Sequence, residues 1–322
     1  MSRYIQYMTA CPTSSDAKLP PIVSRSYYAL IQERDALEKA LQEYANAPKP
    51  GCTYLSEKEA WKGAPHRQRA HRRRLWGDAT NQSLLMIGNI LDHMWAASRL
   101  LNGESVPIYA HMTLSRVLVE AAARICYLTD PAVGYEGRVV RGATLGLQSI
   151  NAHVTAAQSL PSTSPAMPHA LTDAIKKRDK LEDRIKRAGL EFKLNANQKR
   201  THLQDSGSGV SEALKINLTA LVEKYFADRP SWYRLSSGVI HSARWMLDDV
   251  VVGSDHQGVT MVPDFMGIGA ATMLAIDACQ AVAKTYAQFY GHNPQLATRA
   301  SALRTQVVDL LIRDLAATKG II

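Results

Sequence analysis

Between residues 108 and 128 the only charged side chains are Arg116, Glu120 and Arg124, which fall four residues apart on one helical line. Leu114, Leu118, Ala121, Ile125 and Leu128 mark an apolar stripe, and Val117, Val119 and Cys126 fill other faces. A helix that is apolar nearly all round has to be enclosed by other elements, so this segment predicts a core built around it. The charged line has two readings. It is a ladder of ion pairs that neutralises itself, or it is one wall of a polar site, because an unpaired buried charge costs several kcal/mol.

The remainder of the chain supplies helical neighbours. Residues 1–23 are polar and carry Pro12, Pro20 and Pro21, which predicts a poorly ordered segment ahead of one helical domain over residues 24–318. Ser24 caps a helix to about residue 46, with Tyr28, Ile31, Leu37 and Leu41 apolar and Glu33, Arg34, Glu38 and Lys39 charged. Asp78 or Thr80 starts a long helix through Leu101, and a third helix, residues 105–128, tolerates Pro107 in its first turn. Further helices are expected over about 135–158, 169–188, 211–226, 265–290 and 294–317. The helix at 169–188 alternates charges, and its Leu171, Ile175, Leu181 and Ile185 are sparse. It reads as an exposed arm, spanning about 165–200, or as half of a coiled-coil hairpin. Residues 193–210, with Gly207-Ser208-Gly209, read as a flexible loop, and residues 250–262 as a loop or short hairpin. No strand series supports a sheet. The fold class is therefore all-α: a multi-helix bundle with a protruding charged helix and at most a minor hairpin near 250–262.

Composition narrows the function classes. A net charge of +9 favours an anionic partner, nucleic acid first, although charge alone speaks only to nonspecific attraction and solubility. Cys11, Cys52, Cys126 and Cys279 have no metal-ligand spacing and predict free thiols in a reducing cytoplasm. No secretory signal is read at the N-terminus, and the apolar run 265–283 contains Asp277 and is judged short of a membrane span. Phosphate loops, dinucleotide fingerprints, zinc-protease helices and serine elbows are absent from the sequence. No cofactor or metal is implied.

Two stretches carry polar chemistry. The first is Ser231-Trp232-Tyr233-Arg234-Leu235-Ser236-Ser237-Gly238-Val239-Ile240-His241-Ser242, where Arg234 and His241 return to nearly one helix face. Tyr233, Ser237 and His241 form a polar line beside them. Tyr233, Ser236 and His241 either serve a site or satisfy one another and the Arg116-Glu120-Arg124 line as a buried network. The second stretch is His66-Arg67-Gln68-Arg69-Ala70-His71-Arg72-Arg73-Arg74, flanked by Trp61 and Trp76. Arg67, Arg69, Arg72, Arg73 and Arg74 could hold phosphates, or could line a solvated or internally paired helix face. The tryptophans suit base stacking or core anchoring. A small-ligand pocket within the bundle is a third possibility.

Arg116, Glu120, Tyr127, Asp130, Arg138 and Arg141, followed by Tyr233, Ser236 and His241, resemble a pattern of the DUF5677-like all-helical bacterial proteins. In these an R-x-x-x-E helix precedes an aromatic, an aspartate and further arginines, and a later helix carries a tyrosine, a serine and a histidine. The resemblance covers about residues 80–250. That group in turn looks distantly similar to the HEPN helical bundles, many of them ribonucleases with R-x(4–6)-H on a helix. Arg234 and His241 satisfy this spacing, with Leu235 where the motif usually carries Asn, Asp or His. The resemblance implies metal-independent RNA cleavage in defence or stress. His241 would be the general acid/base, Arg234 would stabilise the phosphorane, and Tyr233 and Ser236 would orient these groups. It implies Arg116, Glu120, Arg124, Arg138 and Arg141 as binding residues, and a homodimer sharing the site. The alternative is a noncatalytic helical scaffold that binds a protein or nucleic acid through the 66–74 cluster or the 169–188 arm.

Overall fold

The computed structural model describes residues 19–103, 105–161, 163, 166–227, 230–241, 250–254 and 259–318. The chain runs α1 (Pro21–Asn46), α2 (Thr53–Ala60), a 3₁₀ turn (Trp61–Gly63), α3 (His66–Leu100), α4 (Ala110–Thr129), α5 (Gly134–Gln158) and α6 (Met167–Arg187). Strands β1 (Leu190–Leu194), β2 (Arg200–Asp205) and β3 (Ser211–Ala213) follow, then α7 (Leu218–Tyr225) and α8 (Pro230–Ile240). After β4 (Val251–Ser254) and β5 (Val259–Met261) come α9 (Phe265–Phe289) and α10 (Pro294–Thr318). The fold is an all-α multi-helix bundle with minor strands. Of residues 1–23, expected to be poorly ordered, 1–18 lie outside the described residues, whereas Pro21 to Val23 already form the first turn of α1, with Ile22 and Val23 buried.

The enclosure that the α4 sequence demands is supplied by α3, α5, α7, α8 and α9, all packed against it. Leu118, Val119, Ala122, Ala123, Ile125 and Cys126 are completely buried. α9 has the length and apolar composition to cross a bilayer, contrary to the expectation for residues 265–283, yet most of that window is buried inside the bundle. Gly269 explains how it fits: a Cβ there would lie 2.7 Å from Ile22 of α1 and 2.7 Å from Ile312 of α10. Here glycine permits close helix packing.

Several boundaries differ from the sequence expectation. α3 begins at His66, behind Pro65, rather than near Asp78. Asp78 is not a cap; its carboxylate takes Arg184 at 2.6 Å and Arg74 at 3.3 Å. Arginine is a good helix former, so the basic cluster continues the helix instead of preceding it. α4 begins at Ala110, leaving Pro107 in the loop before it. Glu33, one of the charged residues of α1, is 3% exposed, accepts from Ser301 at 2.7 Å and pairs with Arg304 at 2.6 Å.

A second core lies between α3, α5, α6 and the sheet, where Leu75, Val139, Val140, Ile185, Leu190 and Leu203 are buried together. α6, expected as a protruding arm, keeps its charges outward, but Ala174 and Ile185 are fully buried as it docks along α5 and α3. Residues 190–213, read largely as a flexible loop, form an antiparallel sheet in the order β1-β2-β3, pairing Phe192 with Leu203 and Leu203 with Glu212. The Gly207-Ser208-Gly209 segment is its tight turn. Gly209 sits at φ +76° and donates to Asp205 O at 2.8 Å. The hairpin β4–β5 falls where a minor hairpin was expected.

Asp205 fastens this sheet to the bundle. It is completely buried and accepts from both terminal nitrogens of Arg72 at 2.8 Å, while Arg72 Nε donates to Ala188 O at 2.9 Å. Replacing Asp205 by alanine leaves a buried guanidinium without its counter-charge. It is expected to lower unfolding free energy by about 3–5 kcal/mol in urea denaturation.

Candidate functional site

Tyr233, Ser236, Arg234 and His241 divide between two faces of the α8 spiral. Tyr233 and Ser236 point inward, at 5% and 0% exposure, whereas Arg234 and His241 are exposed. Helical geometry accounts for the split. Seven residues amount to nearly two whole turns, so Arg234 and His241 stay aligned, but each four-residue step drifts by about 40°. The Tyr233, Ser237, His241 line therefore runs from the interior to the surface. Inside, the Tyr233 hydroxyl donates to Glu120 Oε1 at 3.1 Å, and the Arg116 guanidinium lies 4.9 Å from the Tyr233 ring. Arg116 Nε donates to the same carboxylate at 2.8 Å, and Arg124 approaches its other oxygen at 3.8 Å. Burial and the adjacent Glu120 carboxylate push the Tyr233 phenol up from its ordinary value, so it stays protonated at neutral pH. Ser236 Oγ donates to Tyr233 O at 2.8 Å, an intrahelical contact. Outside, Arg234 is paired with Glu223 at 2.8 Å. Tyr233 thus joins the α4 ladder, Ser236 bonds within α8, and Arg234 and His241 face solvent. The four residues are not brought to one point.

Arg138 and Arg141 bind parts of this chain. Arg138 is 1% exposed; its Nε and Nη2 reach the Glu57 carboxylate at 2.6 and 3.0 Å. It also donates to Leu128 O and to Asp130 O, capping carbonyls at the C-terminal end of α4 that have no helical partner. Trp76 Nε1 donates to Glu57 at 3.0 Å, so this tryptophan is a core anchor. Arg141 donates to Glu212 at 2.6 Å and to Tyr127 O at 2.8 Å, and it stacks 4.3 Å from the Tyr127 ring. Asp130 accepts from Lys224 and Tyr225 at 2.9 and 3.0 Å. Burial alone would raise the Asp130 carboxyl, but these bonds and the Ala132 N–H hold it below the usual range.

The basic cluster is also sorted by the fold. Arg72 points inward to Asp205 and is lost to any ligand. Arg74 is exposed and shares Asp78. Arg67, Arg69 and Arg73 have no carboxylate within ion-pair distance among the described residues. Arg67 and Arg73 are exposed and Arg69 half-buried, with its Nε donating to Ala64 O at 2.9 Å. Arg73 lies 5.2 Å from the ring of the half-buried Trp61. Trp61, His66, Arg69, Arg73 and Arg74 line an open cleft of about 760 Å³. α3 starts here with no side-chain cap and no acidic residue in its first turn, so the positive end of the helix adds to the arginines instead of offsetting them. A cleft of about 940 Å³ lies elsewhere, between α9 and α10, bordered by Asp277, Lys284, Thr305, Asp309 and Arg313. None of the site residues expected from the sequence lines it. Comparisons with protein-family models, curated proteins and solved structures find no match to this chain.

One titratable group escaped the sequence reading. His111 is 6% exposed at the start of α4, its Nδ1 without a hydrogen-bond partner among the described residues. Burial pushes the imidazole down to about 4, against the opposing pull of Asp264 and the Pro107 carbonyl. A histidine one residue into an apolar helix was the available signal, but only the packing of neighbouring helices decides that it is buried. The unfolded chain binds this proton below about 6.5 while the folded chain does not. Stability is therefore full above that pH and falls by about 3 kcal/mol between pH 6.5 and 4 from this group. Comparing urea midpoints for wild type and His111→Gln across that window is expected to show a flatter curve for the variant.

Proposed function

We propose that this protein is a noncatalytic RNA-binding helical module that receives a flexible, single-stranded segment on the α3 basic face. The observation that carries the reading is the cleft that Arg69 and Arg73 share with the half-buried Trp61, with Arg67 exposed on the same first turns of α3; these three arginines have no carboxylate partner among the described residues. Guanidinium groups neutralise phosphates at any sequence, and an indole offers a stacking surface for any base. An open cleft suits an unpaired strand better than a rigid duplex. The overall charge of +9 supports encounter with such a polyanion. A cytoplasmic location follows from that ligand and agrees with three buried free thiols, Cys52, Cys126 and Cys279.

Gel shifts with single-stranded RNA over a salt series test this reading. Changing Arg67, Arg69 and Arg73 to alanine together is expected to reduce the salt slope of log K by about 2. Trp61→Ala is expected to cost about 1–3 kcal/mol of binding with the slope unchanged. Unchanged affinity in both variants removes the proposal.

A second reading is the metal-independent ribonuclease implied by the resemblance to the DUF5677-like and HEPN proteins. Its support is that Arg234 and His241 lie two turns apart on the exposed side of α8. His241 would exchange the 2′-hydroxyl or leaving-group proton and Arg234 the phosphorane charge, after release from Glu223, in a site shared across a homodimer. Tyr233 and Ser236 would then act by holding α8 on α4. Under this reading, RNA incubated in EDTA is cleaved by wild type and His241→Ala loses at least 100-fold in rate. Equal cleavage by the two proteins, or none by either, eliminates it.

A further inference from the structure

The strongest feature that the RNA reading leaves unused is the outer face of α10. Its inner face is committed: Ser301 and Arg304 hold the buried Glu33 of α1, and Val308 is 1% exposed against α9 and α1. Opposite these, Leu303, Val307 and Leu310 are 58%, 47% and 53% exposed, an apolar line of four- and three-residue steps. Such spacing is that of a helix seam awaiting another helix. An exposed apolar line alone does not name its partner, but the charges beside it do.

Arg299 and Asp314 flank the line, both exposed, and neither has an ion-pair partner among the described residues. Arg313, by contrast, is already paired with Asp309 at 2.8 Å. Leu303 and Leu310 are centred between residues 306 and 307, and so are Arg299 and Asp314. The pattern therefore has a pseudo-twofold centre with opposite charges at its two ends. Laid antiparallel on a second copy of itself about that point, α10 puts Leu303 against the mate's Leu310 and Arg299 against the mate's Asp314. Twofold symmetry repeats both contacts. A parallel arrangement would place Arg299 against Arg299 and Asp314 against Asp314. The charges thus select the occupant and its direction together, as an isologous interface requires.

We propose that α10 is a self-association surface through which two copies of this chain pair antiparallel about residues 306–307. The paired stretch, residues 299–314, is about 22 Å long at 1.5 Å per residue. A single helix pair is smaller than the roughly 800 Å² per partner of a standard stable interface, so the dimer is weak, with Kd on the order of 10 µM. The surface is distinct from α8, which packs on α4, α7 and α9, and the inference does not rest on RNA binding.

Sedimentation equilibrium on the full chain, from about 1 to 100 µM, tests it by mass action. Wild type is expected to move from monomer to dimer across that range, and Leu303→Asp to remain monomeric. Arg299→Asp alone and Asp314→Arg alone each set like charges together at both ends and are expected to weaken association about tenfold. An equimolar mixture of these two variants restores attraction at both ends, and is expected to associate as wild type does. All three positions are exposed, and matching melting curves establish that the variants are folded. A wild-type protein that stays monomeric overturns the proposal. So does a dimer indifferent to all three variants, which would direct attention to the exposed Leu84, Leu85 and Trp95 of α3. Weakened single variants whose mixture is not restored overturn the antiparallel register.

Discussion

The Arg138–Glu57 pair is the interaction on which much of the architecture converges. A guanidinium at 1% exposure carries a desolvation cost of several kcal/mol, and only a nearly complete set of acceptors offsets it. Glu57 provides two, and the carbonyls of Leu128 and Asp130 provide the others. Meeting that requirement brings α2, the end of α4 and the start of α5 to one point, with the Phe289 ring of α9 4.5 Å from the guanidinium. Trp76 adds α3 to the same carboxylate. Arg72 with Asp205 repeats the arrangement between α3 and the sheet, and Glu33 with Arg304 repeats it between α1 and α10.

These buried pairs change how the arginines relate to function. A stretch of basic residues on one helix does not present a uniform surface, because helical rotation turns every third or fourth one inward. In α3 that rotation takes Arg72 into the core and leaves Arg67 and Arg73 outside, Arg73 beside Trp61. In α8 it does the reverse for the polar cluster, seating Tyr233 against Glu120 and carrying Arg234 and His241 to the surface. RNA recognition through α3 and catalysis through α8 are thereby separate proposals, using different elements with different neighbours. Pairing through α10 is independent of both.

Much of the architecture was legible because it is local. The all-round apolar character of residues 108–128 announced a central helix, and α4 is one. Proline and glycine marked most connections within a few residues. The two ends of the Arg116-Glu120-Arg124 line could be joined in sequence by their spacing alone, and the ladder exists. The sheet at 190–213 was not legible. Its strands are three to six residues long and mostly polar, and what orders them is Leu190, Leu203 and Asp205 packing into α3, α5 and α6. The site was half legible. Residue types and helix faces were readable, but Arg72 and Arg138 look like any other arginine until Asp205, at 133 residues' separation, and Glu57, at 81, arrive beside them.

By itself the sequence determined the helical class, the enclosure of α4 and the alignment of Arg234 with His241. All of these follow from a period of 3.6 residues acting over short distances. Tertiary structure alone decided which arginines are spent on buried carboxylates and which remain for a ligand. It also decided that Tyr233 serves the core and that His111 is held neutral. Those outcomes depend on desolvation and on partners distant in the chain, and neither quantity exists until the helices have packed.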